Sequence, residues 1–201
     1  MFKTYDILTD KLSKYTGYKY AVLTDCCTHA IELCLRYQKP AFIGVNSKTY
    51  LSIPNLAHKL NIGLYFYDEE WQGEYQIKET NIYDSSRLLS KNMHEINTIK
   101  RISFGHDKPI DIGRGGAILL DDYTMFKWLD RAKYDGRDLK FKGHWSKDKN
   151  LIPGYHYNMS IEQAEQITYQ LRLYQEPEIF KGHECYEKYN GDYLNYEIFS
   201  T

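Results

Sequence analysis

The chain has 201 residues, enough for one sizeable hydrophobic core or one core with an appendage, and its 42% hydrophobic content is ordinary for a globular protein. Its formal net charge of -1 excludes the overall basic field typical of nucleic-acid-binding proteins. No apolar run is long enough to span a bilayer, and residues 1–10 lack the apolar core of a signal peptide, so we expect a soluble protein that starts at residue 1.

The first third of the chain alternates helical and strand-like patterns. Leu8 and Leu12 lie one helical turn apart, and the short apolar run "YAVLT" is typical of a buried strand. The predicted elements are a helix over 4–14, a strand over 20–24, a helix from Thr28, a strand over 41–45, a helix over 50–60 and a strand over 63–68. This rhythm indicates a parallel α/β sheet.

The remainder continues with strands and then becomes less regular. Three further strands are predicted over 81–83, 101–104 and 117–120, and helices are predicted over 124–134 and after an N-cap at Ser160. Residues 138–153 are charged and loop-like, and the Tyr-rich end of the chain has little periodicity.

The four cysteines match no disulfide framework, which favours a reducing, cytoplasmic setting. Cys26, Cys27 and His29 offer possible metal ligands, but no second ligand pair follows at the spacing of a zinc site. We therefore predict no metal site and expect the cysteines to behave as small buried hydrophobes.

Polar residues follow several of the predicted strands, where open parallel sheets bind their ligands. "DCCTHA" places Thr28 at a helix N-terminus that favours a phosphate, although Asp25 or Thr28 could simply cap that helix. Asp84 follows the strand over 81–83, where a carboxylate can hold a protonated ring nitrogen or cap a turn.

The stretch "SFGHDKPIDIGRGGAILLDD" contains Ser103, Lys108 and a group of glycines. Lysine is mostly a solvated surface residue, but desolvation or a nearby cation lowers its pKa and makes it a nucleophile. The glycines precede a strand, so they fit neither a dinucleotide-binding loop nor a P-loop. We predict a tight turn with positive φ at Gly115 and Gly116.

Five segments of the chain resemble, in the same order, segments of the DegT/DnrJ/StrS-type sugar aminotransferases, which depend on pyridoxal phosphate. The similar segments are "YTGYKYAVLTDCCTHAIELCL", "VNSKTYLSIPNLAHKLNIGLYFYD", "IYDSSRLL", "ISFGHDKPIDIGRGGAILLDD" and "PGYHYNMSIEQAEQITYQL", which together span residues 15 to 173. The resemblance implies a three-layer α/β/α fold with a mostly parallel sheet, a reduced form of the large domain of the aspartate aminotransferase fold (fold type I).

The same resemblance implies a division of the chain. Residues 1–175 would form the large domain, shortened between about 75 and 84, and residues 176–201 a C-terminal tail that is a remnant of the family's small domain.

The resemblance also implies roles for individual residues. Lys108 matches the lysine that forms the internal aldimine and later moves the proton, and Asp84 matches the carboxylate that pairs with the pyridine nitrogen. The cofactor-binding positions it assigns are Thr28, Cys27, Tyr50, Arg87, Ser103 and His156. Cys27 stands where the family has Gly, and Arg114 where it has the Glu of its G-E-G-G motif.

The implied function is amino transfer from a glutamate-type donor to a nucleotide-linked keto sugar, in a homodimer. The alternative is a non-catalytic relative that acts as a binding or scaffolding protein, against which the retention of Lys108 and Asp84 argues. A third hypothesis is polyanion binding by the basic segment 137–149, where alternating lysines and aromatic residues would suit stacking on single strands. Asp138 and Asp148 dilute its charge, which favours a solvated loop.

Overall fold

The computed structural model describes residues 2–187. Its first elements are α1 (Phe2–Thr16), β1 (Tyr20–Thr24), α2 (Cys27–Gln38), β2 (Phe42–Asn46), α3 (Ser52–Leu60) and β3 (Gly63–Tyr67). They are followed by β4 (Tyr75–Ile77), β5 (Ile82–Asp84), β6 (Ile99–Ser103), β7 (Gly116–Leu120), α4 (Tyr123–Ala132), a 3-10 turn (Trp145–Lys147), α5 (Ile161–Leu173) and α6 (Glu184–Glu187). Among these described helices, none has the length and apolar character needed to cross a membrane.

Five strands form one sheet in the order β1-β7-β6-β5-β4. β2 and β3 form a separate parallel pair. A single antiparallel bridge, from Gly44 in β2 to Lys78 just after β4, links this pair to the sheet. In the described part of the chain, β1, β2, β3, β5 and β6 run in one direction, and β4 and β7 run in the other. The sheet is therefore mixed, with most of its strands parallel in direction as predicted.

The two reversed strands have a common cause. β7 follows β6 through a loop without a helix, and β4 joins β5 through a short turn. A parallel pairing needs a long crossover connection, which neither link supplies, so both strands return antiparallel. β4 was not predicted as a strand.

Helices cover both faces of the sheet, which confirms the three-layer architecture. Along β7, Ala117 and Leu119 face a core shared with α1 and α5, while Ile118 and Leu120 face the core beneath α2, α3 and α4. This alternation follows from the period of two in a strand, with both faces buried.

The end of the described chain folds back onto the body. The Gly73 N–H donates to the Lys181 carbonyl at 3.0 Å, the His183 N–H donates to the Trp71 carbonyl at 3.0 Å, and Tyr186 is buried. Residues 188–201 of the predicted C-terminal tail lie outside the described residues.

Candidate active site

The carboxyl ends of three strands and the start of a fourth meet at one edge of the sheet. Thr24, the last residue of β1, and Ser103, the last residue of β6, both lie opposite Gly116 at the start of β7. Asp84 ends β5, the neighbour of β6. The fold thus brings Asp84, Ser103 and the turn after β1 to the same edge.

The turn after β1 leads directly into α2. Cys26 is the N-cap, and its sulfur accepts a hydrogen bond from the His29 N–H at 3.5 Å, so neither Asp25 nor Thr28 caps the helix. The Thr28 Oγ1 is 2.9 Å from the Ser52 Oγ at the start of α3. The positive end of the α2 dipole therefore lies at this edge beside two hydroxyls.

Two glycines allow β7 to approach this turn. Gly115 has φ 140, as predicted, whereas Gly116 is not a positive-φ residue and its predicted role is wrong. A Cβ on Gly116 would lie 2.6 Å from the backbone of Cys26 and Cys27, so close approach is what requires glycine here.

Lys108 lies on the loop between β6 and β7. The loop is held at its base by the fully buried Phe104, whose N–H donates to the Gly115 carbonyl at 3.0 Å, and by the buried Ile110. Lys108 itself is only partly exposed, and within residues 2–187 its ammonium makes no hydrogen bond or ion pair. Burial lowers the pKa of Lys108, and the nearby Arg87 guanidinium lowers it further.

Asp84 is buried and held by two donors. The Ser86 N–H donates to Oδ1 at 3.1 Å, and the Tyr75 hydroxyl donates to Oδ2 at 3.2 Å. Because a carboxylate only accepts, Tyr75 must donate to Asp84 and accept from the Thr49 hydroxyl that contacts it. Burial and the charge of Asp84 hold the pKa of Tyr75 well above its usual value, so Tyr75 keeps its proton.

The sequence did not identify Tyr75 or Thr49 as site residues. Tyr75 begins β4, which was not recognised as a strand, and its register opposite Asp84 is set only by the antiparallel pairing of β4 with β5. The signal available in the sequence, a tyrosine among 20, does not distinguish it from the others.

Arg87 is buried between the loop of Lys108 and the folded-back chain end. Its Nη1 donates to the Asp107 carbonyl at 3.0 Å and to the Asp107 carboxylate at 3.3 Å, and its guanidinium lies 5.4 Å from the centre of the Tyr186 ring. The Lys181 Nζ also lies 2.5 Å from the Asp107 carboxylate. The carboxylate next to Lys108 is thus already occupied by two other cations.

The Cys27 thiol lies among the predicted site residues. It is buried and interacts electrostatically with Asp84, Arg101 and Lys108. Burial raises the pKa of Cys27, and Asp84 raises it further, so the group stays a neutral thiol.

Two predicted cofactor-binding residues are more exposed. The Tyr50 side chain is 60% exposed, but Tyr50 follows Thr49, which contacts Tyr75, and so lies next to the hydrogen-bond chain that reaches Asp84. The His156 ring is exposed and lies 3.2 Å from the Asp135 carboxylate, and cofactor binding by His156 stays a prediction.

The basic segment 137–149 carries its own compensating charges. Arg131 contacts Asp138 at 3.1 Å and Asp148 at 3.2 Å, while Trp145 remains 53% exposed. Polyanion binding by this segment stays a prediction.

Solved structures of other proteins share this fold. The chain has the fold of the large domain of pyridoxal-phosphate-dependent transferases of fold type I, in reduced form. No protein-family profile and no curated protein sequence matches the chain.

Solved structures of this class match at low identity. A Streptococcus pneumoniae protein assigned as a sugar aminotransferase, in its PLP form, shares 17% identity over 85% of this chain and 59% of its own, with a TM-score of 0.69. Helicobacter pylori PseC, an aminotransferase of pseudoaminic acid biosynthesis, shares 14% identity over 84% of this chain and 57% of its own, with a TM-score of 0.71.

A third match has a sugar nucleotide in its crystal structure. The GDP-4-keto-6-deoxymannose-3-dehydratase ColD, with bound GDP-perosamine, shares 14% identity over 85% of this chain and 60% of its own, with a TM-score of 0.66. The chain thus spans less than two thirds of the length of these proteins, and such identities show a common fold.

Proposed function

We propose that the protein is a pyridoxal-phosphate-dependent aminotransferase that moves an amino group from a glutamate-type donor to a nucleotide-linked keto sugar. The observation that carries the proposal is the partly buried Lys108, which has no ion pair among residues 2–187 and has a lowered pKa near the strand-end carboxylate Asp84. A perturbed lysine near a buried carboxylate at the ligand-binding edge of an α/β sheet is typical of a catalytic site.

The residues present fit this cofactor. Pyridoxal phosphate supplies an aldehyde that condenses with amines and a ring that withdraws electrons once its nitrogen is protonated. In the described part of the chain, Lys108 offers an amine without an ion pair, and Asp84 a carboxylate with lone pairs beyond those used by Ser86 and Tyr75. The α2 N-terminus supports an anionic phosphate, with Thr28 and Ser103 as hydroxyl donors.

Each group then has a defined task. Lys108 would supply the neutral amine that holds the cofactor's aldehyde carbon, with loss of water, and would later take up the proton from the amino-bearing carbon of the donor, which its lowered pKa favours. The Asp84 carboxylate keeps a ring nitrogen protonated, and Tyr75 and Ser86 fix its orientation. Arg87 opposes protonation of Lys108, and Tyr50 restrains a ring by stacking.

The substrate class rests on the comparisons and on the sequence resemblance. One similar protein was solved with GDP-perosamine, and another is an aminotransferase of sugar biosynthesis. By the same resemblance we propose a cytoplasmic homodimer, a large domain over 1–175 and a small-domain remnant over 176–201.

The test is spectroscopic. Purified protein is incubated with pyridoxal phosphate and its near-visible spectrum is recorded, then borohydride is added and the modified residue is located by mass spectrometry. We expect a reducible near-visible band and a cofactor adduct on Lys108, both lost in Lys108→Ala and retained in Lys14→Ala, an exposed control. Absence of the band and of the adduct in the wild type would refute the proposal.

A second step separates an enzyme from a non-catalytic relative. Glutamate should convert the bound cofactor to its amine form, which requires the proton shift that Lys108 performs. Cofactor binding without this conversion would support the binding or scaffolding alternative.

A further inference from the structure

Three side chains with different metal-ligand atoms meet at the turn between β1 and α2. One ligand atom each from Asp25, Cys26 and His29 lie within 4.8 Å of one another. The His29 Nδ1 is 2.6 Å from the Asp25 Oδ1, and all three side chains are partly exposed. The aminotransferase proposal gives this cluster no role, and the sequence predicted no metal site here.

The surrounding structure fixes the three ligands in place. The His29 ring stacks on the Tyr157 ring, with centroids 3.7 Å apart and planes 8° apart. The Asp25 N–H donates to the Tyr157 carbonyl at 2.8 Å, and Cys26 is held as the N-cap of α2. A bound ion would therefore find its ligands already oriented.

We propose that Asp25, Cys26 and His29 bind a divalent metal ion of the zinc class. The ligands are a carboxylate oxygen, a thiolate sulfur and the His29 Nδ1, and water completes a tetrahedral shell. This mixed set suits Zn²⁺ and Co²⁺ and disfavours Mg²⁺ and Ca²⁺, which prefer oxygen ligands alone. Binding releases the His29 proton and the Cys26 thiol proton and changes no oxidation state.

Arg114 sets the affinity of the cluster. Its Nη2 lies 2.6 Å from the Asp25 Oδ2, which leaves Oδ1 for the metal but places a positive charge close to it. Repulsion between two cations weakens binding, so the removal of this charge should strengthen it.

The proposed metal site and the proposed phosphate site both lie at the α2 N-terminus, but they use different side chains. The cluster lies on the Tyr157 side of the turn, while Thr28 of the proposed cofactor site faces Ser52. It uses neither Lys108 nor Asp84, so failure of the aminotransferase proposal leaves it standing.

The experiment is a Co²⁺ titration of metal-free, reduced protein without pyridoxal phosphate. We expect tetrahedral cobalt bands and a thiolate-to-cobalt charge-transfer band that saturate at one equivalent, are displaced by Zn²⁺ and persist in excess Mg²⁺. Cys26→Ser should remove the charge-transfer band, and both Cys26→Ser and His29→Gln should weaken binding by at least about tenfold. Arg114→Gln should tighten it.

Matched controls test another thiol and another histidine and exclude misfolding. Cys185→Ser and His58→Gln remove a partly exposed cysteine and an exposed histidine and should bind like the wild type. Serine remains a good N-cap, so Cys26→Ser should keep its circular dichroism and unfolding transition. A titration without a saturable thiolate band, or one unchanged in Cys26→Ser, would overturn the proposal.

Discussion

Two lysines eight positions apart, one on β6 and one on the loop that follows it, have opposite electrostatic environments. Lys100 is 1% exposed, and its Nζ lies 2.6 Å from Glu74 and 3.1 Å from Glu95. Burial alone would lower its pKa, but the two carboxylates raise it above the usual value. Lys108 is partly buried without an ion pair, and its pKa is lowered.

The comparison shows that charged neighbours, more than burial, decide whether the pKa of a lysine is raised or lowered. Lys108 also follows an acidic residue, but Arg87 and Lys181 occupy the Asp107 carboxylate and Arg87 adds a repelling charge. The loop therefore leaves Lys108 as an available amine, while β6 keeps Lys100 as a fixed ammonium.

Lys100→Met should have the largest effect on stability. It leaves the Glu74 carboxylate, whose side chain is 16% exposed, without its partner, and we expect a loss of about 3 kcal/mol in the free energy of unfolding at neutral pH. Because the folded-state pKa of Lys100 is raised, its contribution is complete below the unfolded-state pKa and disappears as pH rises through the folded-state pKa.

Urea denaturation measures this loss. Lys14→Met, which removes an exposed pair with Asp10, is the control and should cost less than about 0.5 kcal/mol. Equal effects of the two substitutions would mean that the Lys100 pairs contribute no more than a surface ion pair.

Chemical labelling tests the comparison directly. At neutral pH an amine-reactive ester should modify Lys108 faster than Lys100, by a factor on the order of a hundred, because only Lys108 offers accessible neutral amine. Peptide mass spectrometry over a time course gives both rates in one sample. Comparable rates at the two lysines would contradict the difference in their environments.

Tyr75→Phe tests the support of Asp84. The substitution removes the donor to the Asp84 Oδ2 without opening a cavity, and we expect a loss of about 2 kcal/mol in the free energy of unfolding. Tyr20→Phe is the control, because the Tyr20 ring stacks on Phe126 at 4.6 Å and its hydroxyl makes no hydrogen bond within residues 2–187. If both variants unfold alike, Tyr75 does not hold Asp84.

The smallest effect is expected for Lys108→Met, and its sign is opposite to that of Lys100→Met. A lowered folded-state pKa means that the unfolded chain binds more protons, so wild-type stability rises with pH between the folded-state and unfolded-state pKa values. The variant should therefore be more stable than wild type at neutral pH, by less than the loss expected for Tyr75→Phe. Parallel unfolding series at neutral and alkaline pH should show the advantage shrinking, and a constant difference would exclude this cause.

Much of the fold was predictable, because apolar runs in strands and the helical spacing of Leu8 and Leu12 are local signals. The N-cap at Ser160 was likewise predicted from neighbouring residues and is confirmed, and the structure adds Gln163 as its capping-box partner. Non-local features were not predictable, because the pairing of β4 with β5 and the reversal of β7 depend on contacts between separate segments.

The candidate site also has one part that the sequence predicted and another that it did not. The sequence by itself placed Asp84 at a strand end and Lys108 in a glycine-rich loop, because strand ends and turns follow from local patterns. Only the tertiary structure decided that Tyr75 donates to Asp84, that Asp107 is occupied by Arg87 and Lys181, and that His29 stacks on Tyr157. Those contacts join residues that are distant in the chain, and their protonation and charge depend on burial and neighbours that only the folded chain supplies.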